Sequence, residues 1–279
     1  MSRTVRYVGL DVHAETITAA VADADGTLQE CGTIPNRPEA VRKLLAKLGE
    51  AETLRVCYEA GPTGYALYWQ LAGLGIACSV VAPSLIPTKA GDRVKTDRRD
   101  AGRLARCHRA GDLTPVWVPD PATEALRDLV RAREVAKQDQ LRARHRVGKF
   151  LLRHGRHRPE GMRSWTGRHQ LWLARVRFDT AVLQTVFEEY RAELDHVAAR
   201  VRRLEQAITA ALPTLAPAQQ ALVGALAALR GVQCLTATTL VSEVGTLRRF
   251  ATARQLMAYA GLVPREHSSG GSVRRGAIT

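Results

Sequence analysis

Residues 5–22 read VRYVGLDVHAETITAAVA, and this stretch decides how the fold begins. A mostly apolar run ends at Asp11, and from Thr16 the residues alternate as in a strand with one buried face. An Asp-Gly pair follows at positions 25–26, which is typical of a tight turn between antiparallel strands. Residues 28–34 can return as a third strand. The pattern therefore predicts three antiparallel strands.

Helices and strands alternate in the next part of the chain. Apolar residues recur at helical spacing over 38–48, and a helix is also predicted over 65–74. Buried strands are predicted over 54–58 and 76–81. Three antiparallel strands followed by alternating helices and strands is the element order of a ribonuclease-H-like α/β domain. We predict such a domain over residues 1–118.

The rest of the chain reads as helical. Asp120 before Pro121 is typical of a helix start, and a long basic helix is predicted from there. A turn-rich interval follows at 155–167. Residues 171–212 then keep a three/four apolar spacing, which predicts a long helix packed on another helix or on its own copy.

The C-terminal region is predicted to open with two helices. A glycine turn at 230–232 joins them, an arrangement that can present backbone amides to a phosphate. The predicted fold class is therefore α/β plus all-α. Its second part comprises a basic helical and coiled-coil region over 119–217 and a small helical domain over 218–279.

Positive charge dominates the composition. The 279 residues include 41 Lys and Arg against 27 acidic residues, a net charge of +14 that favours a polyanion such as nucleic acid. Phe150 and Trp165 are isolated in the sequence, which favours a duplex or structured RNA over single-stranded bases. The alternative is a solvated helix face. Candidate nucleic-acid contacts on the basic helix are Arg127, Arg131, Lys137, Arg142, Arg144, Arg146, Lys149 and Arg153.

Cysteine spacing and hydropathy exclude several classes of protein. Five cysteines occur without a Cys-x-x-Cys pair, so neither a zinc knuckle nor a disulfide framework is indicated. No signal peptide opens the chain, and no apolar stretch approaches the length of a membrane span. These features predict a cytoplasmic protein without a membrane partner, in a cell without a nucleus or at least without an evident import signal.

Four carboxylates form the candidate site. Asp11 ends the first predicted strand and Glu59 ends the strand that should lie beside it, so both reach the same sheet edge. Asp97 and Asp100 share one face of a helix that Thr96 is predicted to cap. Four converging carboxylates repel one another unless a cation neutralises them, and oxygen ligands suit Mg²⁺ or Mn²⁺. Two such ions can activate a phosphodiester.

The four acids, His13 and the polar residues near the C-terminus also have ordinary structural explanations. Each acid taken alone reads as a turn or solvated residue, and only their order and placement indicate a metal site. His13 shares the strand face of Asp11 and either approaches the metal or, as we favour, is packed or hydrogen-bonded. Residues 260–272 are predicted to form a polar loop, for which composition alone does not indicate catalysis.

With these motifs in place, the chain resembles a bacterial mobile-element family, the DEDD-type transposases of the insertion-sequence one-ten family. The resemblance spans nearly the whole chain, and four motifs in this order are specific where any one of them is weak. The matching segments are Val8-Gly9-Leu10-Asp11-Val12-His13, Tyr58-Glu59-Ala60-Gly61-Pro62-Thr63-Gly64, Lys95-Thr96-Asp97-Arg98-Arg99-Asp100-Ala101, and Tyr259-Ala260-Gly261-Leu262-Val263-Pro264 leading to Ser268-Ser269-Gly270-Gly271.

The resemblance implies a specific architecture and chemistry. It implies a RuvC-like N-terminal domain, a coiled-coil linker and a C-terminal transposase domain with a helix-hairpin-helix element. The four acids would bind Mg²⁺, and a serine would attack DNA to form a phosphoserine link. Ser269, which precedes a glycine, is the predicted nucleophile, and Ser268 is the alternate.

The resemblance also implies partners. They are the DNA of the element ends and of the target, and a structured guide RNA that the basic helix would bind as well. One subunit's acids would meet another's serine in a dimer or tetramer. Family members normally continue past residues 274–279, so a fragment or a truncated product is expected here.

Two other functions fit parts of the sequence. The actin-like kinase fold also opens on a strand ending in Gly-x-Asp, but it requires glycine, serine or threonine directly after the aspartate, where Val12 stands. A DNA- or RNA-binding remnant of a transposase without catalysis is the non-enzymatic alternative. Metal-dependent strand cleavage distinguishes an intact enzyme from such a remnant.

Overall fold

The computed structural model describes residues 4–88 and 96–278. Lys95 and Thr279, each part of a segment considered above, lie outside the described residues. The chain divides into two compact units, Met1–Val118 and Pro119–Thr279.

The first unit is built on a five-stranded mixed sheet with the strand order β3-β2-β1-β4-β5. Strands β1 to β3 are antiparallel, whereas β1 with β4 and β4 with β5 are parallel. This order confirms the predicted three antiparallel strands followed by alternating helices and strands. The elements are β1 (Arg6–Val12), β2 (Thr16–Ala22), β3 (Leu28–Pro35), α1 (Pro38–Leu48), β4 (Leu54–Glu59), α2 (Ala66–Gly73), β5 (Ala77–Val81) and α3 (Asp97–Ala110).

The turn between β2 and β3 forms as predicted from its Asp-Gly pair. Asp25 Oδ1 accepts the backbone N–H of Thr27 at 2.9 Å, and Gly26 has a φ of 96°. Residues that carry a side chain rarely adopt that φ, so glycine at this position avoids the steric cost of the turn. The local sequence thus fixes this connection.

The two faces of the sheet are covered by different helices. Val8 and Leu10 of β1 point into the main apolar core, which α1 and α2 complete. Alternate residues of the same strand face α3, which packs on the opposite side with Ala101 and Ala105. Residues of β1 with odd numbers therefore lie on the α3 side.

Gly9 permits an unusually close approach of α3 to β1. A Cβ atom placed on Gly9 would lie 2.3 Å from the carbonyl oxygen of Ala101 and 2.4 Å from the nitrogen of Ala105. Both neighbours are backbone atoms of the helix, which cannot turn aside as a side chain can. The absence of a side chain at this position lets the helix rest directly on the strand.

The second unit is mainly helical, and its long helices α4 and α6 pack on each other. Ala143, Val147 and Phe150 of α4 share a buried cluster with Leu194 and Val197 of α6. The apolar face predicted for this region therefore meets a helix of the same chain. The elements are α4 (Pro121–Arg153), α5 (Gly167–Arg175), α6 (Ala181–Ala211), α7 (Pro217–Ala227), α8 (Cys234–Val244), α9 (Ala253–Tyr259), β6 (Pro264–Glu266) and β7 (Arg275–Ile278).

Three sequence predictions in this unit were wrong. The single helix over 171–212 is interrupted, because Val176 is extended and Thr180 caps a new helix by accepting the N–H of Leu183. Residues 260–272 are not only loop, since β6 lies within them and pairs with β7. Phe150 and Trp165 are not isolated, for tertiary packing surrounds both with other rings.

None of the helices in the described ranges combines the length and apolar character needed to cross a membrane.

We expect Gly9→Ala to destabilise the first unit by about 1–3 kcal/mol, because the added methyl group must push the backbone of α3 away. Urea denaturation measures this destabilisation as a lower midpoint. Gly73→Ala is the matched control, since a Cβ at that position meets open space. Equal midpoints for the two variants would contradict the close packing at Gly9.

Candidate functional site

Asp11 and Glu59 lie at the same edge of the sheet. In the parallel pair of β1 and β4, Leu10 is the register partner of Tyr58, so the next residues along each strand are the two acids. Leu10 and Tyr58 are buried in the main core. Because side chains alternate along a strand, both acids belong to the opposite face, on which α3 packs.

The first turn of α3 carries the other two acids. Thr96 Oγ1 accepts the N–H of Arg99 at 3.4 Å, and the Thr96 carbonyl accepts the N–H of Asp100 at 2.9 Å. This capping confirms the predicted helix start. Asp97 and Asp100 therefore sit at the positive end of the helix dipole, which favours carboxylates there.

Asp11, His13 and Asp97 come together at this edge. The Nε2 atom of His13 lies 3.3 Å from Asp11 Oδ2 and 3.7 Å from Asp97 Oδ1. One ligand atom from each residue lies within 4.8 Å of the others, the spacing of a group that could hold a cation. His13 is hydrogen-bonded, as we favoured from the sequence, and its Nε2 atom lies near the carboxylates of both Asp11 and Asp97.

Asp100 and Glu59 are arranged differently. The Asp100 side chain is largely buried, and its Oδ1 lies 2.8 Å from Arg103 Nη2. Neither acid belongs to the close group of Asp11, His13 and Asp97 found within residues 4–88 and 96–278. The four predicted acids thus share one edge, with two of them near His13 and one in an ion pair.

Burial and neighbouring charges both affect the pKa of Asp11. Burial raises the pKa of the Asp11 carboxyl, and the charge of His13 opposes this effect. The charges of Asp97 and Asp100 raise the pKa further by repulsion. A divalent cation would relieve that repulsion. Carboxylate oxygens with one imidazole nitrogen are a donor set that fits Mn²⁺ and, through the oxygens, Mg²⁺.

The two candidate serines lie in the hairpin of β6 and β7. Ser268 Oγ donates to Glu266 Oε1 at 2.7 Å, so its hydroxyl is held by a carboxylate. Ser269 and Ser272 exchange backbone hydrogen bonds of 3.0 and 3.1 Å across a turn in which Gly270 has a φ of 58°. Ser269 is exposed at this tight turn.

Two of the candidate nucleic-acid contacts hold the second unit together. Arg127 is buried, and its guanidinium donates to the carbonyl oxygens of Ser242 and Glu243. Arg131 Nε and Nη2 donate to the Glu243 carboxylate at 2.8 and 2.9 Å. These bonds tie α4 to α8. Buried Arg127 therefore leaves the candidate interface, whereas the Arg131 side chain is 60% exposed and stays a candidate contact. Sequence reasoning missed Glu243, because nothing local marks a partner 112 positions away.

The remaining candidates divide by exposure. Lys137 is partly buried and its ammonium donates to Gln140, while the Arg144 guanidinium covers the Trp165 ring. The exposed residues recur at helical spacing and form one stripe on α4. This basic stripe consists of Arg142, Arg146, Lys149 and Arg153.

Known proteins match both parts of the chain. Residues 8–155 match the DEDD transposase profile of the IS110 family, which is described as Transposase. Residues 224–279 match the profile described as Transposase IS116/IS110/IS902 family.

Individual relatives extend over nearly the whole chain. It is 44% identical over 276 residues to the assigned transposase y4qE of Sinorhizobium fredii, covering 98% of this chain and 67% of that protein. It is 35% identical to the transposase for insertion sequence element IS1533 of Leptospira borgpetersenii, covering 91% and 73%. A pilin gene-inverting protein of Moraxella bovis is 28% identical, covering 99% and 76%.

We expect Asp11→Asn to weaken Mn²⁺ binding at least about tenfold, because it removes one charge from the close group of ligand atoms. Calorimetric titration of the purified chain with MnCl₂ measures this affinity. Asp25→Asn makes the same exchange at the β2–β3 turn and should leave Mn²⁺ binding unchanged. Wild-type affinity in Asp11→Asn would refute a cation site at this edge.

Proposed function

The chain belongs to the IS110 family of transposases, and from this membership we propose that it cuts and rejoins DNA strands at the edge that carries Asp11, Glu59, Asp97 and Asp100. The observation that carries the proposal is the close group formed by Asp11, His13 and Asp97. A surface that gathers carboxylates repels DNA unless a cation is bound there. Metal-dependent phosphodiester chemistry explains such an arrangement.

We further propose that the first unit is a ribonuclease-H-like, RuvC-like domain over residues 1–118. The strand order β3-β2-β1-β4-β5 and the helix α3 across one sheet face support this assignment. In such an arrangement the acids at the end of β1 and β4 face the first turn of a helix. The sheet then holds the metal-ligand residues at the ends of β1 and β4 in fixed positions.

Mg²⁺ or Mn²⁺ is the proposed cofactor, with Asp11, Glu59, Asp97 and Asp100 as its ligands. When bound, the cation polarises the phosphodiester and stabilises charge on the entering and leaving oxygens. Asp11 and Asp97 would supply oxygen ligands directly. Arg103 would orient the Asp100 carboxylate through its 2.8 Å contact.

Ser269 is the proposed nucleophile, and Ser268 is the alternate. The serine Oγ loses its proton and forms a new bond to phosphorus, while the bond to the leaving deoxyribose oxygen breaks and that oxygen takes up a proton, so that no net proton is gained or lost. The phosphoserine link keeps the energy of the broken bond, so a later strand can displace the serine. The hydrogen bond from Ser268 to Glu266 favours Ser269, whose hydroxyl is not held by that carboxylate.

The proposed partners are the DNA of the element ends and of the target, and a structured guide RNA. The basic stripe supports binding to a phosphate backbone, and the family resemblance supports the RNA. The helices α7 and α8, joined through Gly231 with a φ of 87°, are proposed as the helix-hairpin-helix element. A dimer or tetramer would need a surface other than the apolar face of α6, which α4 covers.

The nucleophile is tested by trapping the covalent intermediate. Purified chain with Mg²⁺, element-end DNA and its cognate RNA should form a protein–DNA adduct that survives denaturant. We expect Ser269→Ala to abolish the adduct and Ser268→Ala to retain it, which denaturing electrophoresis with labelled DNA measures.

The two acids of α3, Asp97 and Asp100, provide the control for this experiment. The double variant Asp97→Ala/Asp100→Ala should lose both adduct and strand cleavage while keeping DNA affinity. Cleavage at the wild-type rate in this double variant would argue against the metal assignment. A wild-type chain that binds DNA but never cleaves it would instead identify a binding remnant.

The basic stripe predicts a steep salt dependence. The triple variant Arg142→Gln/Arg146→Gln/Lys149→Gln should lower the slope of log affinity against log salt by about 0.9 for each phosphate that these side chains neutralise. Fluorescence anisotropy with a labelled DNA duplex measures the slope. Lys43→Gln/Lys47→Gln removes exposed charge from α1 and should change the slope less; an equal change per charge would assign the effect to net charge alone.

A further inference from the structure

The loop and short helix between α4 and α6 form a basic, aromatic tip that the proposed function does not use. Residues 154–179 contain six arginines against two acids, Glu160 and Asp179, together with two of the four tryptophans of the chain. We call this segment the tip. Its charge fits a polyanion, and its aromatic content adds apolar faces that a duplex backbone does not need.

Three rings of the tip contact one another in a row. The Trp165 and His169 ring centroids lie 5.0 Å apart with an interplanar angle of 74°, and the His169 and Trp172 centroids lie 5.4 Å apart with an angle of 35°. Both tryptophans keep partial exposure. The guanidinium carbon of Arg144 lies 5.4 Å from the centroid of the Trp165 ring. The tip thus carries a partly open aromatic row next to a cation.

The backbone at Trp165 is strained. Among the described residues, Trp165 is the one non-glycine residue with a positive φ, which is 64°. The backbone of a residue with a bulky side chain rarely adopts this conformation, so surrounding contacts must hold Trp165 there. Strain of this kind concentrates at ligand-binding positions, because it holds a side chain in an orientation that relaxed backbone would not give.

Two unsatisfied polar atoms lie at the aromatic row. Arg144 Nε and His169 Nδ1 are shielded from solvent, have no hydrogen-bond partner within residues 4–88 and 96–278, and belong to side chains that contact the Trp165 ring. His169 is 95% buried between the two tryptophans. Burial, and secondly the charge of Arg158, lower the pKa of His169, so its ring is neutral near pH 7. Buried polar groups normally have partners, so this cluster points to a ligand that supplies them.

We propose that the tip binds an unpaired nucleotide of single-stranded nucleic acid, with its base stacked on the Trp165 ring and its phosphates on the surrounding arginines. Base stacking on aromatic rings and arginine contacts to phosphate are how proteins hold single strands. A duplex keeps its bases stacked internally and cannot offer one to the ring. The proposal is independent of the acid cluster and of the serine, so it holds whether or not the chain cleaves DNA.

Binding is measured on the full chain in buffer with EDTA, so that no strand is cut. Fluorescence anisotropy is recorded with labelled oligouridylate, labelled oligothymidylate and a labelled duplex of equal length. We expect Trp165→Leu to weaken binding of a single strand about tenfold and to leave duplex binding unchanged. A preference for oligouridylate would identify RNA as the natural strand, and a preference for oligothymidylate would identify DNA.

Matched variants separate stacking from folding and from charge. Trp69→Leu makes the same exchange at an exposed tryptophan of α2 and should leave both affinities unchanged. Arg163→Gln/Arg168→Gln alters only exposed side chains of the tip, so it tests the site even if Trp165→Leu unfolds. It should weaken single-strand binding several-fold more than duplex binding. Equal weakening of single strand and duplex, or no change in either, would overturn the proposal.

Discussion

The contact between Gly9 and the backbone of α3 is the constraint on which the proposed catalytic edge depends. Because no side chain separates them, the helix rests on β1 and its first turn reaches the end of that strand. Asp97 then comes within reach of Asp11 and His13. Burial raises the pKa of Asp11, and repulsion from Asp97 and Asp100 adds to that rise while His13 opposes it. Packing energy elsewhere in the unit must therefore hold together carboxylates that would otherwise separate.

The arginines of α4 have two roles in the second unit, and the partners that they contact distinguish these roles. Arg127 and Arg131 are bound to α8 through Ser242 and Glu243, so they join parts of the unit. The residues of the basic stripe are exposed to solvent, and within it Arg142 also pairs with Asp139 at 2.6 Å. A helix that reads as uniformly basic therefore has a structural first half and a second half suited to polyanions.

Local patterns were enough to predict most of the first unit. Alternation in β2, the Asp-Gly turn and the cap at Thr96 each depend on neighbouring residues. The pairing of β6 with β7 and the packing of Arg144 on Trp165 depend on residues that lie close only after folding. For the same reason, the order of the acids could be predicted, whereas the ion pair between Arg131 and Glu243 could not.

The two surfaces of the second unit that we propose for polyanion binding are consecutive in the chain. The basic stripe ends at Arg153, directly before the tip, and Arg144 contacts Trp165 across that connection. A strand lying along the stripe would keep its phosphates on one helix face and reach the aromatic row where the helix ends. Phosphate contacts hold any sequence in register, whereas stacking requires an unpaired base. Together they would select a nucleic acid that changes from duplex to single strand at this point.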